Sequence, residues 1–269
     1  MTCRSHACKI GRSRFTNRVW AESNRNVRQN NPWLTGPPPY GPHLPGGGFE
    51  LHVSPAPQWP IELRNTRALH GMVTELLGRP HHPTIPGFSL VPWATGVRWG
   101  VYTQHADDAA RVAGKEHEMV LFDRRVKVRC GPLVRLRSPQ IKARGHRRLR
   151  IDAITPVLVR QTGVETGLGP TTYTGPTAGN LHSSLDVWLP RRIGMQPFGP
   201  RCVVRLVESE TRGEAVALGG KYGRTLGWVG HVIVDTNAVG HWLFEVASRI
   251  GYGGRVALGF GRIRVTQEE

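Results

Sequence analysis

The densest group of residues able to do chemistry lies in GYGGRVALGFGRIRV, residues 251–265. Gly251, Gly253, Gly254, Gly259 and Gly261 crowd this stretch. Glycine reaches positive φ and carries no Cβ, so a ligand's backbone can approach closely. Exposed amides in such a stretch can reach phosphate oxygens, as in other anion-binding nests. The stretch leaves the C-terminal end of a predicted helix, whose dipole opposes an anion. Amides, with Arg255, Arg262 and Arg264, must then supply the attraction. The other reading of the same glycines is a helix C-cap followed by a bulged strand. A P-loop is excluded, because no Lys-Ser/Thr follows the glycines.

A second group is IKARGHRRLR, residues 141–150, with Lys142, Arg144, His146, Arg147, Arg148 and Arg150. Such a charge run is either a solvated face or a contact to an RNA backbone. Arg191, Arg192, Lys221 and Arg224 would extend the second reading. Composition agrees with an acidic partner: 36 Lys+Arg stand against 19 Asp+Glu, a formal charge of +17. Only five of those cations are Lys. Arginine favours planar, bidentate acceptors, above all phosphate.

Metal chemistry is not expected. Cys3, His6 and Cys8 lack a fourth ligand and the usual spacing, and Cys130 and Cys202 stand alone. Asp152 and Asp235 are too isolated along the chain to suggest a two-metal site. No cofactor motif is present. No apolar run approaches about 18 residues, which excludes a membrane-spanning helix. The expectation is a cytoplasmic nucleic-acid binder.

The elements that must position these groups begin near Phe49. Residues 1–48 carry seven cations and one acid, then PPPYGPHLPGGG, without helical or strand periodicity. They read as a basic, flexible arm. Its Arg- and Ser-rich, acid-poor character is that of a transit peptide or of an upstream extension, and it lacks the apolar centre of a secretory signal. Residues 49–269 keep +11, so the body is basic in its own right.

The N-terminal unit, 49–140, reads as strand FELHV, a helix through LRNTRALHGMVTELLG, strands at 88–93 and 97–103, a helix at 105–114 and a strand at 118–130. The C-terminal unit, 141–269, repeats that order with strands at 148–160, 201–209, 227–234 and 258–265 and helices at 180–192 and 238–250. The fold class is α+β: two tandem ferredoxin-like (RRM-like, βαββαβ) domains, with a glycine-rich loop at 251–261. Trp93, Trp99, Trp188, Trp228 and Trp242 fall on these elements and are assigned to core packing.

The same residues carry a family resemblance. Gly-Tyr-Gly, then Leu-Gly-Phe-Gly and an alternating basic strand, resembles the C-terminal signature of CRISPR repeat-RNA endoribonucleases, the Cas-six family of the RAMP superfamily. FELHV with its LHG-containing helix, FSLVPW, RLRIDAITPV and WVGHVIVDTN resemble further family segments, in order over 49–266. The resemblance implies metal-independent cleavage within repeats of CRISPR precursor RNA. The ribose 2′-OH attacks the adjacent phosphate and leaves a 2′,3′-cyclic phosphate and a 5′-OH. It implies repeat RNA as partner, retention of the mature guide RNA, other subunits of a CRISPR effector complex as further partners, and a prokaryotic cytoplasmic setting.

A proton-transfer group in this chemistry contributes about 10²–10⁴-fold, and histidine suits the task near neutral pH. Many family members carry that histidine after the first helix. Here His81 and His82 occupy the place, and either could serve. His70, inside the helix, is a second candidate that could instead pack. Two departures stand out. The position of a helical Tyr in some members is Thr74, and the Lys before the second strand is missing, so Arg79 or Arg255 would supply a cation. These departures give weight to the alternative of a silent RAMP subunit that only binds guide RNA. A third reading is an unrelated basic RNA-binding protein.

Overall fold

Alternation decides the first strand. In β1 (Gly47–Ser54), Phe49, Leu51 and Val53 are buried while His52 and Ser54 are exposed. The computed structural model describes residues 42–54, 66–78, 87–92, 98–121, 123–140, 146–158, 175–196, 198, 201–217 and 224–268. β1 is followed by α1 (Thr66–Leu77), β2 (Ser89–Pro92), β3 (Arg98–Thr103), α2 (Ala106–Val112), β4 (Glu116–Leu121) and β5 (Arg124–Cys130). They form an antiparallel sheet in the order β2-β3-β1-β5-β4. Leu69, Met72, Val73, Leu76 and Leu77 of α1 join Phe49, Leu51, Val53 and Val112 in one apolar cluster. Burying each such side chain fully is worth about 1.5–3 kcal/mol.

The second unit runs β6 (Arg147–Val157), α3 (Ala178–Ser183), a π-turn (Ser184–Trp188), α4 (Leu189–Arg192), β7 (Val204–Ala217), β8 (Arg224–Thr236), α5 (Ala238–Ile250), a 3₁₀ turn (Val256–Leu258) and β9 (Ile263–Gln267). Its sheet order is β7-β8-β6-β9. The strand that follows the first helix therefore pairs two places away from the one before it, which is the split-βαβ, ferredoxin-like arrangement. The helices cover one face. Leu181, Leu185 and Leu189 pack with Val239, Trp242, Leu243, Val246 and Ile250 of α5 over Leu149, Ile151, Val232 and Val234. Asn237 caps α5 by accepting the Gly240 N–H at 3.0 Å.

Four differences from the sequence reading have physical causes. The stretch 118–130 is a hairpin, not one strand: it turns at Asp123, whose φ is 60°. Each arm alternates, but the inward positions change from Met119 and Leu121 to Val126, Val128 and Cys130, and the unbroken apolar run 119–122 hides that change in the sequence. Residues 42–46, read as the end of the arm, are anchored: Leu44 donates to Leu136 O at 2.8 Å and lies in the second unit's core. LGFG at 258–261 is not strand, because the chain forms the 3₁₀ turn there first. The helix at 180–192 contains a π-turn around the buried Asp186, whose carboxylate accepts the Phe198 N–H at 2.7 Å. Residues 1–41 lie outside the described residues. Trp99, Trp228 and Trp242 are in the cores, as expected, and Trp93 lies outside the described residues.

Candidate functional site

The glycine-rich stretch is built from the end of α5 upward. Gly251 donates back to Ala247 O at 2.8 Å and closes the helix with φ 90°. Tyr252 is fully buried and its hydroxyl donates to Leu181 O at 2.9 Å. The chain then folds against the end of β6. Gly254 donates to Leu158 O at 2.6 Å and Gly261 to Pro156 O at 3.0 Å. Two positions require glycine. Gly253 has φ 81°, and a Cβ there would stand 2.2 Å from Leu158 O. Gly261 has φ 75°, and its Cβ would meet Tyr252 O at 1.8 Å.

Two side chains of the second unit hold carbonyls of this stretch. Arg192, only 7% exposed, donates to Gly251 O at 3.3 Å and to Gly253 O. Thr155 donates to Gly259 O at 3.0 Å and accepts the Arg262 N–H at 2.9 Å. The expectation of exposed amides is therefore corrected at Gly251, Gly254, Gly259 and Gly261, whose N–H groups are bonded within the protein. Arg192, expected on a surface track, is buried and supports the turn instead. Of the two readings of the glycines, the geometry gives the helix cap, followed by a closed, backbone-bonded turn in place of a bulged strand. Arg255 sits on it in the left-handed region, with φ 52°. Burial and the neighbouring Arg264 lower the Arg262 pKa.

The turn reaches the first unit. Ala257 is 3% exposed and belongs to that unit's apolar cluster. The 3₁₀ turn packs on both α1 and β2. His70 of α1 donates through Nδ1 to Ala257 O at 3.0 Å, and its ring lies 5.1 Å from that of Phe88. Thr74 donates to His70 O at 2.8 Å, a back-bond within the helix. His81, His82, Lys142 and Arg144 lie outside the described residues, as do Arg79 and Lys221.

The basic run at the start of β6 is divided by strand geometry. Leu149 and Ile151 face the core, so Arg148 and Arg150 project from the opposite face of the sheet, while Arg147 shares the core side. Arg148 pairs with Asp235 at 3.0 Å, and Arg205 pairs with the same carboxylate at 2.7 Å. Arg150 pairs with Asp152 at 3.0 Å. The hydrogen bond from Arg148 holds the Asp235 carboxyl below its ordinary value, assisted by Arg205 against partial desolvation. Asp152 and Asp235, isolated in sequence, are here partners of arginines.

Strand pairing also brings together what the sequence separated. Glu210 stands opposite His231 across β7 and β8, with Glu208 on the same face. The His231 Nε2 lies 3.9 Å from a Glu208 oxygen and 3.8 Å from a Glu210 oxygen. Among the described residues this is a group with the donors to hold a metal ion. The signal was a Glu-x-Glu alternation in one strand, legible only once its partner strand is known. Neither buried cysteine is a candidate nucleophile: burial pushes Cys130 up to about 11 and Cys202 higher still. No helix among the described residues is long and apolar enough to cross a membrane.

Comparison with models of known families gives no match, and comparison with curated proteins gives none. Solved structures do share the fold. A Cas6 product complex aligns with a TM-score of 0.55 at 17% identity, over 82% of this chain and 99% of the other. Thermus thermophilus Cas6 aligns with a TM-score of 0.52 at 14% identity, over 84% and 100%.

Proposed function

We propose that this chain, which has the fold of Cas6 proteins, belongs to that family and is a CRISPR precursor-RNA processing endoribonuclease. One observation carries the reading: the glycine-rich turn of the second ferredoxin-like unit is seated on α1 and β2 of the first. In that family resemblance, the same two elements bracket the catalytic histidine. Here they flank the segment with His81 and His82, since Gly78 follows α1 and Gly87 precedes β2.

The reaction needs no metal in this reading. One of His81 and His82 takes the proton of the ribose 2′-OH, whose oxygen forms a bond to the adjacent phosphorus. The bond from phosphorus to the 5′-oxygen breaks, and that oxygen takes up a proton. A 2′,3′-cyclic phosphate and a 5′-OH result. Arg255 and Arg262 beside the turn, and Arg148 and Arg150 on the open sheet face, supply positive charge to the RNA backbone. Lys142 and Arg144 remain candidates for the same path, whereas Arg147, on the core side of β6, does not. The mature guide RNA stays bound, and other subunits of an effector complex are further partners.

A second reading, a silent subunit that only holds guide RNA, is favoured by Thr74. Its hydroxyl is engaged with its own helix at the place where some family members carry Tyr. One assay separates the two. Labelled repeat RNA is incubated with the purified chain in EDTA. Cleavage at a single site, abolished by a 2′-deoxy substitution there, supports the nuclease. Tight binding without cleavage supports the silent subunit.

A further inference from the structure

His70 belongs to the first unit, yet its bond is to the second. A carbonyl can only accept, so the contact with Ala257 O at 3.0 Å places the proton of a neutral ring on Nδ1. The ring is steadied by Phe88, 5.1 Å away and just before β2. Thr74 bonds the carbonyl of the same residue one turn on. Ala257 itself is an apolar plug, buried among residues of the first unit. On its other side the turn is fixed by Arg192 and Thr155. The turn is therefore tied to both units, and His70 supplies a hydrogen bond to the first.

We propose that His70 is a positioning residue of the ribonuclease reaction, acting through Ala257. By tying the 3₁₀ turn to α1 it fixes the glycine-rich turn and its Arg255 against α1 and β2. Without the bond, the Ala257 carbonyl is left buried and unsatisfied, so the turn shifts to hydrate it. A misplacement of about 1 Å near reacting groups costs about 10²-fold in rate. This inference rests on the repeat-RNA cleavage reading above. It differs from the expectation that His70 itself moves a proton.

Three variants of the full chain test it. His70→Phe keeps a ring against Phe88 and removes the donor. His70→Asn places an amide N–H on the atom equivalent to Nδ1. His70→Ala removes both. Each is compared in single-turnover cleavage of labelled repeat RNA in EDTA, in RNA affinity, and in hydrogen exchange of the amides at 251–262 without RNA. The expected result is cleavage about 10²-fold slower for Phe and Ala, with faster exchange in the turn, and recovery of both by Asn. Affinity should change far less than rate. Wild-type cleavage by His70→Phe overturns the proposal, and so does an Asn variant that protects the turn yet cleaves as slowly as Ala. If the wild-type chain itself does not cleave, the nuclease reading falls and this role with it. Should the Phe and Ala variants fail to fold, recovery of fold, exchange protection and rate by Asn supports the role. Recovery of fold and protection without rate overturns it.

Discussion

The Tyr252 N–H donates to Gly261 O at 2.7 Å, while a Cβ on Gly261 would stand 1.8 Å from Tyr252 O. The two residues close the glycine-rich turn so tightly that no side chain fits at Gly261. Gly261→Ala should therefore destabilise the chain by about 2–4 kcal/mol, from the clash and the positive φ together. Gly254→Ala meets nothing nearer than Leu158 Cβ at 3.5 Å, at an ordinary φ. It should cost less than about 1 kcal/mol. Urea unfolding of both variants checks the contrast, and equal losses would refute it.

The open face of the second sheet makes a prediction about salt. Arg148→Ala with Arg150→Ala should weaken repeat-RNA binding and flatten its dependence on salt. The log–log slope should fall by about 0.7 for each phosphate of single-stranded RNA that is no longer neutralised. Arg147→Ala, on the core side of the same strand, should leave the slope unchanged. Titrations at several salt concentrations measure both.

Asp235 offsets part of the positive charge that Arg148 and Arg205 offer to phosphate on this face. Asp235→Asn should raise RNA affinity at low salt. It should also alter acid stability. The Asp235 pKa is depressed in the folded protein, so its stabilising effect is complete above the ordinary carboxylate value of about 4 and is lost as pH falls through the folded value. Wild type should lose stability along that descent, and the Asn variant should lose less. Denaturation curves from neutral to strongly acidic pH, with parallel slopes for the two proteins, would contradict the assignment.

The histidine pair is tested by removal. His81→Ala with His82→Ala should slow cleavage by about 10²–10⁴-fold while RNA affinity holds. Single-turnover rates decide the matter; a wild-type rate would remove both from the site.

Local periodicity was sufficient for most of the fold. The Val239, Trp242, Leu243, Val246 and Ile250 stripe marked α5 at the bounds observed, and FELHV marked β1 through its buried alternate residues. Such signals depend on which face of one element is apolar, and a sequence carries that information directly. The β4–β5 hairpin escaped because the apolar run 119–122 hides the change of phase at Asp123, from inward Met119 and Leu121 to inward Val126, Val128 and Cys130. Residues 42–46 escaped because Leu44 is anchored by Leu136, and nothing local to the arm announces that partner.

For the candidate site the division is sharper. The order of residues was enough to establish that glycines and arginines crowd 251–265, that a basic run opens the second unit, and that both units are built on a βαββαβ order, to which the first adds a fifth strand. What those residues touch came from packing alone. Packing spent the glycine amides on β6 and α5, buried Arg192 beneath the turn, split Arg148 and Arg150 from Arg147, and set His70 on Ala257, 187 residues away in the chain. Periodicity is set by neighbours three or four residues apart, whereas a buried carbonyl takes whichever donor the packing of distant elements brings within about 3 Å.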